Sequence, residues 1–229
     1  MKIAIMQPTY LPWMGYFEMI LKCDVFLFLD SVQFEKKSWQ QRNYVRSGDK
    51  KVLLTVPVET AGRFHQKISE VKILRSSTYP RKHLQTIKIN YSRAPFFPEI
   101  FPILEKWLDS EVDSLSNLNM GIIEDFSRYL GSSTKFLRAS SLKVTGTSTT
   151  QTVHQCIELK ASEFYCAEGA QSYVSSEQGF KSNEILVTYQ NYRHPTYEQM
   201  GTGFISHLSI TDLLMNHGKF SKKIILQDF

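Results

Sequence analysis

At 229 residues, with 42% of them apolar, the chain can bury a proper core as one large domain or two small ones. No run approaches the ~18 apolar residues of a membrane span, and Gln7, Pro8 and Pro12 break up any signal-peptide core. The net charge of +5 is concentrated: residues 36–93 hold 14 Lys and Arg against Asp49, Glu59 and Glu70, a positive field suited to phosphates, nucleotide-sugars, nucleic acid or anionic lipid.

The first elements read as strand, loop, helix, strand. Lys2–Met6 is an apolar run that stops at Gln7-Pro8. Gly15–Lys22 places Phe17, Ile20 and Leu21 on one side of a short helix. Val25–Leu29 is continuously apolar, as expected of a parallel strand buried on both faces. The three form a βαβ unit with a right-handed crossover expected. Ser31–Gln41 is polar and irregular. Ser47-Gly48-Asp49 then turns a hairpin with arms Tyr44–Arg46 and Val52–Val56, and Val71–Leu74 adds a short strand.

Helices follow over Arg81–Tyr91, Phe97–Leu108 and Leu115–Leu130, the last with apolar residues at helical spacing and Gly131 as its stop. The second half alternates again: strand Lys135–Leu137, helix Thr149–Lys160, strands Glu163–Cys166 and Ile185–Tyr189, and a last helix Ser209–Asn216. The pattern predicts a single α/β domain over residues 1–229. Its sheet is Rossmann-like and mostly parallel, with an embedded β-hairpin and a helical insertion at about 79–131.

In open α/β sheets, ligands sit beyond the carboxyl ends of the strands. Gln7–Gly15 leaves the first strand at that edge and Asp30–Arg42 leaves the second, so both loops face one crevice. Pro8 and Pro12 stiffen the first loop, Gly15 permits close backbone approach, and Tyr10, Trp13 and Tyr16 can stack a ring. The second loop carries Asp30 as a candidate general base. Gln33 and Asn43 supply amides, Lys37 and Arg42 a phosphate clamp, and Trp39 a stacking surface. Lys82 and His83 open a helix where an anion can bind. His194, held extended in a loop by Pro195, is a second acid/base candidate. The layout resembles nucleotidyltransferases of the HxGH type, but Tyr16 follows Gly15 where those enzymes place histidine.

No metal and no cofactor is expected. His154, Cys156 and Cys166 match no common zinc spacing, and "GTGF" at 201–204 is too short to count as a nucleotide motif. Three cysteines without a CxxC pair fit a reducing cytoplasm.

The stretches "IAIMQPTYLPWMGYF", "DVFLFLDSVQFEKKSWQQRN", "LTVPV", "RKHLQTI", "TKFLRASSL" and "NYRHPTYEQ…FISHLSITDLLMNHG" resemble, in this order, the WbqC-like proteins. The resemblance spans nearly the whole chain. It puts Gln7, Pro8, Trp13, Gly15, Asp30, Gln33, Lys37, Trp39, Arg42, Asn43, Lys82, His83, His194, Pro195, Asp212 and Gly218 at motif positions. It implies a role in bacterial O-antigen or other surface-polysaccharide assembly, as a transferase modifying a nucleotide-activated sugar by amino-acid (glycyl) or acyl transfer. The alternatives are a nucleotidyltransferase-like enzyme, a nucleic-acid or tRNA-binding module on the basic stretch, or a non-catalytic subunit of a polysaccharide assembly.

Overall fold

A computed structural model describes residues 1–74, 77–144, 146, 148–174 and 178–228. Five short strands form one sheet: β1 (Lys2–Met6), β2 (Val25–Phe28), β5 (Lys135–Arg138), β6 (Glu163–Cys166) and β7 (Leu186–Tyr189). They are parallel throughout and ordered β5-β2-β1-β6-β7. The fold is thus a mixed α/β architecture with a parallel sheet, and the first two apolar runs are adjacent parallel strands.

Alternation along β1 and β2 divides the core. Ala4, Phe26 and Phe28 point to one buried cluster, while Ile3, Ile5, Val25 and Leu27 point to the other. On the first face lie α1 (Met14–Leu21), α4 (Leu115–Tyr129), α8 (Ile210–His217) and α9 (Ser221–Leu226). On the second lie α5 (Ser148–Glu158) and the short α6 (Gln171–Val174) and α7 (Gln178–Ser182). Both faces are covered at β1 and β2, whose central residues are buried.

The hairpin, β3 (Arg42–Ser47) with β4 (Lys50–Thr55), forms a separate two-stranded sheet. Gly48 takes a φ of +58° in its tight turn, a conformation that costs a side chain little only when the residue is glycine. Helices α2 (Tyr79–Tyr91), α3 (Phe97–Leu108) and α4 stack in sequence, and their buried residues share one cluster with β1 and β2.

Two expectations change. Val71–Leu74 is not a strand but makes isolated bridges, Ile73 to Val58 and Lys72 to Ser114. These four residues run beside single pairing partners rather than an open sheet edge. The last helix is followed by a 3-10 turn and α9, which packs against α1; Gly218 breaks the periodicity that would have joined them.

Candidate functional site

In this strand order the chain reverses direction across the sheet between β1 and β6, so the loops after these strands part and leave a crevice at their carboxyl ends. Two adjoining cavities occupy that place, of about 310 Å³ and 270 Å³, sharing Met6, Ala167 and Gly169 in their walls. The first adds Gln7, Thr9, Thr152 and Cys166; the second adds Trp13, Gly15, Glu168, Gln190 and Tyr192. Among the described residues, Glu168 is the one charged side chain in either lining, and it is exposed.

A buried carboxylate lies under the second cavity. Glu18, on α1, is 2% exposed. Tyr165 donates its hydroxyl to both Glu18 oxygens (2.8 and 2.9 Å). Gln190 Nε2 donates to Oε2 (2.6 Å) and to the Gly15 carbonyl (2.7 Å). Lys22 Nζ closes the set 2.7 Å from Oε1. Three hydrogen bonds and a cation offset the cost of burying this charge. Burial, then the hydrogen bond to Glu18, pushes the Tyr165 hydroxyl well up. Tyr192, in the cavity wall, has a buried hydroxyl with no hydrogen-bond partner among the described residues. A buried unpaired hydroxyl is costly, so it marks a point where a ligand's polar group would be favoured.

Trp13 forms the outer wall. Its indole stacks with His194 (6.1 Å, 9°) and His207 (5.8 Å, 27°) and meets Tyr192 edge-on (5.6 Å). It also lies over the helix start: a Cβ at Gly15 would fall 2.3 Å from the ring. Gly15, expected from the sequence to permit close backbone approach, is required here by the packing of Trp13.

The residues expected to form the site divide into three groups. Gln7, Trp13 and Gly15 line the cleft. Gln7 Oε1 accepts from Gln40 Nε2 at 2.8 Å, which joins the two loops.

A second group is spent inside the protein. Tyr10 is fully buried, its hydroxyl 2.8 Å from His83 Nδ1. Desolvation lowers His83 to about 4, with a hydrogen bond to the Thr55 backbone raising it by less. His83 is thus a neutral core histidine rather than a cationic anion site. Asn43 is buried, donating to the Leu11 carbonyl and accepting from Tyr44 N–H. Asp30 is 0% exposed, its oxygens accepting from the Ser140 N–H (2.8 Å) and hydroxyl (2.7 Å). That bonding fastens the end of β2 to the turn after β5, and Asp30 does not line the cleft. His194 has both ring nitrogens engaged: Nδ1 meets the Pro195 carbonyl (2.9 Å) and Nε2 accepts from His207 N–H (3.1 Å). Burial and then His207 lower its pKa. It braces Trp13 as a neutral ring, with its lone pair already in use.

The third group lies outside the cleft. Gln33 donates to the Phe64 carbonyl, Lys37 and Trp39 are exposed on the second loop, and Arg42 opens β3 half-buried. Lys82 is exposed beside a separate shallow cavity that His83 also lines. Among the described residues, no group of three His, Cys, Asp or Glu side chains is placed to hold a metal ion.

Sequence reasoning missed Glu168, Gly169, Gln190, Tyr192 and the buried Glu18. Each follows a strand that was recognised, or lies on a helix that was. What was lacking is that β6 is the neighbour of β1, which no local motif states.

The profile of the WbqC-like protein family matches residues 7–224. The uncharacterized protein Rv1507c of Mycobacterium tuberculosis (strain ATCC 25618 / H37Rv) is 34% identical over 219 residues, 95% of this chain and 94% of that protein. No solved structure gives a significant match.

Proposed function

This chain belongs to the WbqC-like protein family, and from that premise we propose that it is a transferase of bacterial surface-polysaccharide assembly that modifies a nucleotide-activated sugar by acyl or aminoacyl transfer. The observation that carries the reading is the cleft at the reversal of the parallel sheet, with one carboxylate in its lining. The Thr9 and Thr152 hydroxyls and the backbone around Gly169 supply donors for a diphosphate in the first cavity. The sugar ring packs against the Trp13 edge and Tyr192 in the second. Glu168 takes the proton from the sugar's attacking amine or hydroxyl. As that nitrogen or oxygen bonds to the acyl carbon, the donor's ester or thioester bond breaks and its electron pair leaves with the carrier. Asp30 and His194 serve by fastening the loops and bracing Trp13.

The test is a melting-temperature screen with UDP-, GDP-, dTDP- and CDP-sugars. A matching nucleotide at 100 times its Kd adds about 2.7 kcal/mol of stability. Glu168→Gln retains that shift and loses turnover. No shift with any nucleotide-sugar, or full turnover in Glu168→Gln, removes the reading.

A further inference from the structure

We infer that the face built from residues 33–39 and 59–67 docks on an anionic lipid bilayer. Phe64 sits there 72% exposed and Trp39 54% exposed, the two most exposed aromatic rings among the described residues. They are joined by cations. Lys36 Nζ lies 5.3 Å from the Phe64 ring centroid, Lys37 is adjacent, and Trp39 meets Tyr44 edge-on at 6.0 Å with Lys51 Nζ over the Tyr44 ring. Arg63 and Lys67 flank Phe64 and are exposed. The acidic groups nearby are Glu35, exposed on the second loop, Glu59, paired with Arg63 (3.1 Å), Glu70, which is exposed and accepts from the Lys67 N–H (2.8 Å), and Asp49 at the hairpin turn, beside Arg46 (3.6 Å). Lys36, Lys37, Lys51 and Lys67 have no carboxylate within salt-bridge distance among the described residues.

The exposure of Phe64 is built in. The loop is closed by Gln66 Nε2 donating to the Glu59 carbonyl (2.9 Å). It is tied to the second loop by a Gln33–Lys67 bridge and by Phe34 N–H donating to the Gln66 carbonyl (2.9 Å). Gly62, at φ +70°, turns the tip, and residues 61–65 are all exposed. A held, solvent-facing apolar tip beside Lys36, Lys37 and Lys67, with Arg63 paired to Glu59, matches the headgroup region of an anionic bilayer, where an aromatic ring enters and lysines meet lipid phosphates. Nucleic acid is the less fitting partner. Single-strand binders track the backbone along a groove, and none of the cavities described above is lined by Lys36, Lys37, Arg63 or Phe64. The inference does not depend on the chemistry of the cleft.

The test is co-sedimentation of the full chain with phosphatidylcholine vesicles, with and without phosphatidylglycerol, at low and high salt. The expected result is partitioning onto the phosphatidylglycerol vesicles only, weakened by salt. Phe64→Ser lowers the partition coefficient about tenfold or more, from the loss of one buried aromatic ring. Lys36→Gln and Lys37→Gln lower it about fivefold each. All three side chains are exposed, so thermal melts of the variants should overlay the parent and confirm that they are folded. No partitioning onto anionic vesicles, or partitioning that Phe64→Ser leaves unchanged, overturns the inference. So does tight binding of a single-stranded oligonucleotide by fluorescence anisotropy that these substitutions abolish while vesicles are ignored; that result would assign the face to nucleic acid.

Discussion

Trp13 and Gly15 show how one pair of side chains sets the mouth of the cleft. The indole lies where a Gly15 side chain would be, so Gly15→Ala must move the ring or the start of α1. Overpacking of this kind costs about 1–3 kcal/mol, and the indole also leaves its contacts with His194 and His207. The expected outcome is a lower melting temperature together with a shifted tryptophan emission; an unchanged emission spectrum would mean the ring is not seated on Gly15. His83 gives a second prediction at this scale. Its folded pKa is depressed from 6.5 to about 4, so between those values the unfolded chain holds a proton that the folded chain refuses. Stability is therefore full above about pH 6.5 and falls as pH drops toward 4. A shift of this size corresponds to about 3 kcal/mol. His194 is lowered too and acts in the same direction. Urea melts across this range should show a smaller acid loss in His83→Gln than in the parent, even if the variant starts less stable.

The elements are positioned by side chains that reach between them. Asp30, at the end of β2, takes both donors of Ser140 after β5. Asn119, fully buried on α4, donates to the Pro8 carbonyl (3.1 Å) and the Gln40 carbonyl (2.7 Å), so the inserted helix grips the loops that follow β1 and β2. Asp30→Ala removes two hydrogen bonds from Ser140, an exposed residue, and should cost about 1–3 kcal/mol. Asp30→Asn keeps an acceptor oxygen and should cost less. Turnover separates the two roles argued for this residue: a fastening predicts a folded Asp30→Asn protein with near-parental activity, whereas a general base predicts loss of activity without unfolding. Loss in the folded variant would return Asp30 to the chemistry.

Across the whole molecule, the site depends on which strands are neighbours. β1 and β6 are separated by more than 150 residues of chain yet run side by side, Ile3 opposite Phe164 and Ala4 opposite Tyr165. Their adjacency brings Gln7, Glu168 and Gly169 to one crevice, with Gln190 and Tyr192 arriving from the segment after β7. Gln190 supports the buried Glu18 from this distant segment. Gln190→Leu removes a donor to a buried carboxylate, a loss of about 1–3 kcal/mol. Because the same amide holds the Gly15 carbonyl, ligand-induced stabilisation should fall more in this variant than in Lys82→Ala, which lies at a different cavity. Equal ligand response in the two would place the ligand elsewhere.

The sequence by itself determined the family and most of the elements. Period-two and continuous apolar runs mark β1 and β2, 3.6-residue spacing marks α4, and Gly48 and Gly131 mark a turn and a helix stop, because these signals are local consequences of burial and backbone sterics. It also determined that the loops after the first two strands share the same sheet edge. Only the tertiary structure decided what their polar residues do. Asp30, Asn43, His83 and His194 have the chemistry of site residues in sequence, but a carboxylate or imidazole acts as a base only if its lone pairs are free. Here Ser140, Tyr10 and His207, up to 110 residues away, hold them in hydrogen bonds, and the Asn43 amide is used up donating to the Leu11 carbonyl. Glu168 carries no such local signature, and it becomes a candidate only because β6 packs beside β1, a pairing fixed by long-range burial that no stretch of sequence states.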